Sequence, residues 1–134
     1  MIAGVVVDTD VVSFLYKHDT RALVYRPHLD GKLLLISFMT LAELDRWALE
    51  RHWGDRRRRD LEKFLEKFAV IECNRSLCLK WAEATYSARR NGRPIETADA
   101  WVAATALLQG IPLVTHNRTH YVGVDGLQLV SEKR

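Results

Sequence analysis

The sequence is poor in cysteine, has no long apolar run and carries little excess charge. Two cysteines, Cys73 and Cys78, cannot build the disulfide framework of a small secreted scaffold. No apolar stretch approaches the roughly 18 residues that a membrane span requires. Met1-Ile2-Ala3-Gly4 carries no basic segment and Asp8 interrupts the apolar run behind it, so no signal peptide is expected and the expected location is cytoplasmic. Repeats, low-complexity tracts and long linkers are also lacking, which predicts one domain spanning residues 1–134. Twenty basic against 17 acidic side chains give a net charge of +3, compatible with nucleic acid but no argument for it.

What is present is an ordinary globular composition, 48% hydrophobic and 28% charged, in a chain long enough to bury a real core. The organising stretch is Val5-Val6-Val7-Asp8-Thr9-Asp10. Its apolar half does not alternate, which suits a strand buried on both faces of a parallel sheet. A buried strand cannot hold an unpaired carboxylate cheaply, so Asp8 is expected at the strand's C-terminal end. In open α/β sheets that edge is where ligands bind. Asp8 could equally be a turn acid capping a helix over Val11–Tyr16.

Further along, a helix from about Thr20 is expected to end near Pro27. Leu33–Ser37 reads as a second buried strand. Thr40-Leu41-Ala42-Glu43 has the spelling of a capping box that opens the next helix. Asp55–Asp60, containing Arg56-Arg57-Arg58-Arg59, reads as a break before a helix that buries Leu61, Phe64, Leu65 and Phe68. Val70–Glu72 reads as a short strand. A long helix capped by Ser76 is expected to bury Leu77, Trp81, Ala84 and Ala88, followed by a helix over Thr97–Gln109 that stops at Gly110 and Pro112. Leu113–Thr115 and Leu127–Leu129 read as the last two strands. Alternating strands and helices predict an α/β fold with a central, mainly parallel sheet of about five strands flanked by helices.

Three acids fall where elements meet: Asp8 after the first strand, Glu43 in the helix after the second, and Asp99 in the helix before the fourth. If those strands are neighbours, all three face one edge. Glu43 could merely close its capping box, and Asp99 could merely favour the helix dipole. Together they raise a harder problem, because like charges at ~4 Å repel by roughly 4 kcal/mol at an effective dielectric of 20. A divalent cation removes it, and hard oxygen ligands select Mg²⁺, with Mn²⁺ substituting, over zinc. A carboxylate-held cation can bind a phosphate oxygen, activate a water and steady the charge growing in an in-line displacement.

Four stretches resemble PIN domains: Val6-Val7-Asp8-Thr9-Asp10; Ile36-Ser37 through Thr40-Leu41-Ala42-Glu43-Leu44; Gly92-Arg93-Pro94-Ile95 with Asp99-Ala100-Trp101-Val102-Ala103-Ala104-Thr105-Ala106; and Leu113-Val114-Thr115-His116-Asn117. They are similar in particular to VapC-type toxin ribonucleases of toxin–antitoxin pairs, and the likeness spans about Val5 to Leu129. The resemblance implies a three-layer PIN fold, Mg²⁺-dependent endonuclease cleavage of RNA, a homodimer and a cognate antitoxin protein. It places Asp8, Glu43 and Asp99 at the family's acidic positions, with Glu96 assisting. His120 stands where the family often has a fourth acid, which puts a tightly held second metal in doubt. Asn117 could orient a water or phosphate, and Thr9 could hold a carboxylate. Arg56–Arg59 reads as a phosphate-gripping patch, a docking surface for the antitoxin, or a solvated face. Arg46, Arg51, Arg89, Arg90, Arg93 and Arg118 could line a groove for RNA. Trp47, Trp53, Trp81 and Trp101 fall within helical patterns and suit core or interface.

Three other readings compete. Asp8-Thr9-Asp10-Val11-Val12 also spells the nucleophile motif of haloacid-dehalogenase-like phosphatases, with Asp8 as nucleophile and Ser37 as a second motif. A zinc module could use Cys73, Cys78, His116 and His120, although a helix pair separates the two halves. A non-enzymatic PIN-like interaction module is the last, and an intact acid triad argues against it.

Overall fold

The computed structural model describes residues 2–133. Val5, Val6 and Val7 lie in β1 (Gly4–Val7), the middle strand of the sheet, and are at most 4% exposed. The elements that follow are α1 (Thr9–Tyr16), α2 (Ala22–Leu29), β2 (Leu33–Ser37), α3 (Phe38–Glu50), α4 (Asp55–Leu65), β3 (Ala69–Ile71), α5 (Arg75–Arg90), α6 (Thr97–Gln109), β4 (Leu113–Val114), a 3₁₀ turn at Arg118–His120, and β5 (Leu129–Val130). All five strands pair in parallel in the order β3-β2-β1-β4-β5. Val6 lies opposite both Leu35 of β2 and Leu113 of β4.

Side-chain alternation along β1 divides the core. Val5 and Val7 pack with Phe14, Tyr25, Leu29, Leu44, Leu61 and Leu65 on one face. Val6 packs with Ala84, Ala88, Val102, Ala103 and Ala106 on the other, where small side chains let α5 and α6 lie close together and near the sheet. This is the three-layer arrangement that an all-parallel sheet needs to cover both faces. Strands are added from β1 first outward through β2 to β3, then on the other side through β4 to β5. The order therefore reverses between β1 and β4, and the crevice beyond their C-terminal ends is the topological switch point.

Several local expectations are corrected. The cap of α3 is Ser37, whose Oγ accepts from the Met39 N–H at 3.0 Å, so Thr40 and Glu43 are not a capping box. Both lie inside the helix and are free to point at the sheet edge. Pro27 does not end α2, which runs on to Leu29 because Tyr25 and Leu29 are buried against the core. Packing here outweighs the hydrogen bond that the proline forgoes. Asn74, not Ser76, caps α5 through the Leu77 N–H at 2.8 Å. Asp55–Asp60 is no break, because the arginine run forms the opening turns of α4 behind Gly54. β5 lies two residues further on than Leu127. Gly110 ends α6 with φ +66, a left-handed conformation that favours glycine.

Candidate active site

At the switch point the chain leaves β1 through Asp8, which caps α1 by accepting the Thr9 N–H on Oδ1 at 2.7 Å. Its other oxygen, Oδ2, accepts the hydroxyls of Thr115 and Tyr121, each at 2.8 Å. Asp8 is 6% exposed, and both of its oxygens are hydrogen-bonded. The Tyr121 hydroxyl also lies 3.3 Å from Asp99 Oδ1, in the first turn of α6. From α3, Glu43 Oε1 accepts the Thr9 hydroxyl at 2.9 Å, and Thr9 Oγ1 lies equally close to the Thr40 hydroxyl. The strand neighbours β2, β1 and β4 thus bring all three expected acids to one edge.

A fourth acid joins them. Asp10 Oδ2 accepts the His116 N–H and the Asn117 side-chain amide, both at 3.0 Å, while Oδ1 accepts the Val11 N–H at 2.7 Å. In the sequence, Asp10 stands inside the opening motif but is given no metal-holding role of its own. Its spacing of two from Asp8 was the available signal, because a strand-to-helix turn can aim both residues into one crevice. Tyr121 and the Thr115 hydroxyl give no such signal, since they look like ordinary core or turn residues, and Thr40 reads in the sequence only as a helix cap.

The electrostatics follow from this crowding. Burial pushes the Asp8 carboxyl up to about 7, and the Asp10 charge adds to the rise. Burial likewise raises Asp10, Glu43 and Asp99 above the usual carboxylate range, with Asp99 partly relieved by His120. His120 Nδ1 lies 3.3 Å from Asp99 Oδ2, so position 120 does border the cluster. Among the described residues, no lysine or arginine forms an ion pair with Asp8, Asp10, Glu43 or Asp99. Nor do three acidic, histidine or cysteine side chains close on a single point as a metal cage would. That same finding removes the zinc module, since Cys73, Cys78, His116 and His120 do not gather. The cysteines are free thiols with Sγ atoms 3.8 Å apart, and His116 instead pairs with the Tyr25 hydroxyl at 2.6 Å.

An open cluster of hard oxygen donors with unbalanced charge fits Mg²⁺. That ion keeps several waters and is held through one or two carboxylates plus substrate phosphate rather than by an all-protein cage. The phosphatase-like reading fares worse: its second motif residue, Ser37, is completely buried with its hydroxyl in the α3 cap.

The remaining expected residues lie at different distances from the acids. Glu96 is the residue before α6, exposed and making no cap hydrogen bond. Arg93 is exposed and Arg118 is on the surface; Arg118 directly follows Asn117, and Arg93 meets the loop at Gly123. Arg56–Arg59 is elsewhere. The Arg57 guanidinium lies 4.3 Å over Trp53, which packs on Tyr16 at the far end of α1 from Asp8. Eight helical residues separate α1's two ends, about 12 Å, so this run flanks the opposite end of the layer. Trp81 stacks on Trp101 with ring centroids 5.4 Å apart, and Phe38 meets Trp101 edge-on.

The model of the PIN domain family matches residues 5–122. Ribonuclease VapC1 of Haemophilus influenzae (strain R2866) is 29% identical over 123 residues, covering 90% of this chain and 92% of the relative. The tRNA(fMet)-specific endonuclease VapC of Shigella flexneri is 26% identical over 121 residues, with 90% and 92% covered. The solved structure of VapBC-1 from nontypeable Haemophilus influenzae superposes with a TM-score of 0.75 at 26% identity, covering 96% of this chain and 97% of that one.

Proposed function

Since the chain belongs to the PIN domain family, we propose that it is a Mg²⁺-dependent endoribonuclease, the toxin of a type II toxin–antitoxin pair. The observation that carries the reading is the cluster at the switch point: Asp8, Asp10, Glu43 and Asp99 gathered with raised carboxyl pKa values and, among the described residues, no ion pair to a lysine or arginine. Relatives named as ribonuclease and endonuclease support it.

In this reading Asp8, Asp99 and Glu43 would hold Mg²⁺ (Mn²⁺ substituting), which when bound supplies neutralisation of phosphate charge and activation of a water for in-line displacement. The chain's own groups do the positioning. Thr9 holds Glu43, Thr115 and Tyr121 hold Asp8, and Asn117 ties Asp10 to the end of β4. His120, beside Asp99, is placed to donate a hydrogen bond to a substrate phosphate, and Glu96 adds negative charge at the start of α6. Arg93 and Arg118 supply phosphate contacts at the rim. No serine, cysteine or lysine nucleophile is needed. The purified chain should fragment RNA with Mg²⁺ present and stop when EDTA is added. Cleavage indifferent to the chelator, or none under any divalent ion, would overturn the proposal.

We place the proposed partner on a second surface. A groove of about 720 Å³ runs between α1–α2 and α4, with Leu29, Leu34, Phe64 and Phe68 in its walls and Arg26, Asp60 and Lys63 among its charged residues. Arg56–Arg59 opens the same helix, α4, away from the acids. We therefore assign the run to the antitoxin rather than to RNA. Changing all four arginines to glutamine should weaken antitoxin binding about tenfold or more, while RNA cleavage and its salt dependence stay as they are. A flattened salt dependence of RNA binding would instead return the run to the substrate. Light scattering on the same samples reads the proposed homodimer, which the variant should retain.

A further inference from the structure

We propose that Tyr121 is a positioning residue for the metal site, its buried phenol fixing the orientation of the Asp8 carboxylate beside Asp99. This inference rests on the metal-dependent reading above. The ring of Tyr121 is completely buried in the α5–α6 face of the core, where a phenylalanine would pack as well. The hydroxyl is what the core does not need. It leaves that apolar cluster and reaches 2.8 Å from Asp8 Oδ2 and 3.3 Å from Asp99 Oδ1. These carboxylates come from different elements, one from the end of β1 and one from α6, and the phenol oxygen sits where the two approach, bonded to the nearer one.

Lone-pair accounting sharpens the role. A carboxylate offers about four acceptor sites. Asp8 uses three: the Thr9 N–H on Oδ1, and the Thr115 and Tyr121 hydroxyls on Oδ2. Oδ2 is thereby saturated, and one position on Oδ1 is left for an ion. The phenol has one proton and gives it to the nearer acceptor, Asp8, so Asp99 is held only loosely and can turn toward an ion. Without the hydroxyl, Oδ2 would keep only Thr115, and the carboxylate could rotate and lose its single presented oxygen. Groups that orient metal ligands in this way typically cost 10–100-fold in metal affinity or activity when removed.

The test is Tyr121→Phe, which keeps the ring and deletes the hydroxyl. Mn²⁺ titrated calorimetrically into the full chain, without RNA, should bind the variant about tenfold more weakly than wild type. With RNA, kcat should fall by a similar factor while KM stays near the wild-type value. Thr115→Val, removing the other Oδ2 donor, should weaken Mn²⁺ in the same direction. In wild type, Mn²⁺ should also perturb the near-ultraviolet absorbance of a buried phenol, a readout that stands even if Tyr121→Phe folds poorly. Equal or tighter Mn²⁺ binding by Tyr121→Phe, or no phenol signal in a wild type that binds Mn²⁺, overturns the inference alone. A wild type that binds no Mn²⁺ and cleaves nothing overturns both this inference and the function it rests on.

Discussion

Asp8→Asn, and separately Asp99→Asn, should lower RNA cleavage by about 10³-fold or more, roughly 4 kcal/mol of transition-state stabilisation, while the protein stays folded. An amide nearly preserves the side chain's shape but removes the charge that a hard cation requires. Glu43→Gln should be comparably severe. Had Glu43 been a helix cap, its loss would cost ~1 kcal/mol of stability and no activity. It faces the Thr9 hydroxyl across the crevice instead, and Ser37 does the capping.

The Asp8→Asn substitution also carries a stability signature whose sign is fixed by linkage. The Asp8 carboxyl is pushed from an ordinary 3.8 up to about 7, by burial first and by Asp10 second. Between those values the folded state binds more protons than the unfolded state. The stability of wild type therefore falls as pH rises from about 4 through about 7. The amide that replaces the carboxyl does not titrate. With EDTA present, Asp8→Asn should unfold at a higher temperature than wild type at about pH 8, and the advantage should shrink toward about pH 4. An advantage that instead grows as the pH is lowered, or full cleavage by the variant, would contradict the assignment of Asp8 as a buried, strained ligand.

Gly123→Ala should be the most damaging single-methyl change away from the acids. A Cβ at position 123 would lie 2.5 Å from the Arg93 carbonyl oxygen, 2.8 Å from Arg93 Cβ and 3.2 Å from Ala88 Cα. The obstacle is space, not backbone conformation, because φ here is not in the left-handed range. Two of the three contacts are with main-chain atoms, which cannot swing aside like a side chain. The expected cost is about 1–3 kcal/mol, or roughly 3–5 °C of melting temperature per kcal/mol at this chain length. The loop has no easy retreat, since Asn91 donates to the Gly123 carbonyl at 2.8 Å and the Asp125 N–H donates to Ser87 Oγ at 3.1 Å. Because Tyr121 lies two residues earlier, Mn²⁺ affinity should weaken along with stability. A melting temperature within about 1 °C of wild type would show that α5 and the loop can separate freely.

Local patterning carried much of the architecture. An unbroken apolar triplet ending in an acid is best satisfied by a strand covered on both faces, so Val5–Val7 determined a central parallel strand and put Asp8 at its C-terminal edge. The position of Asp99 in the first turn of α6 followed from that helix's own boundaries, which were legible from Thr97 and Gly110. Other features were beyond local patterning because they depend on contacts far apart in the chain. Thr40, with Glu43 three residues on, spelled the cap of α3, but the hydroxyl that caps it is Ser37, at the end of β2. Pro27 looked like a terminator until the burial of Tyr25 and Leu29 outweighed it. Asp10 and Tyr121 acquired their surroundings only when β4 docked beside β1, which set His116 and Asn117 against one and aimed the other's hydroxyl at Asp8 and Asp99. The sequence alone determined which elements form and which acids end them. Strand order decided which of those acids share a crevice, because charge and hydrogen bonding act through distances that folding alone creates.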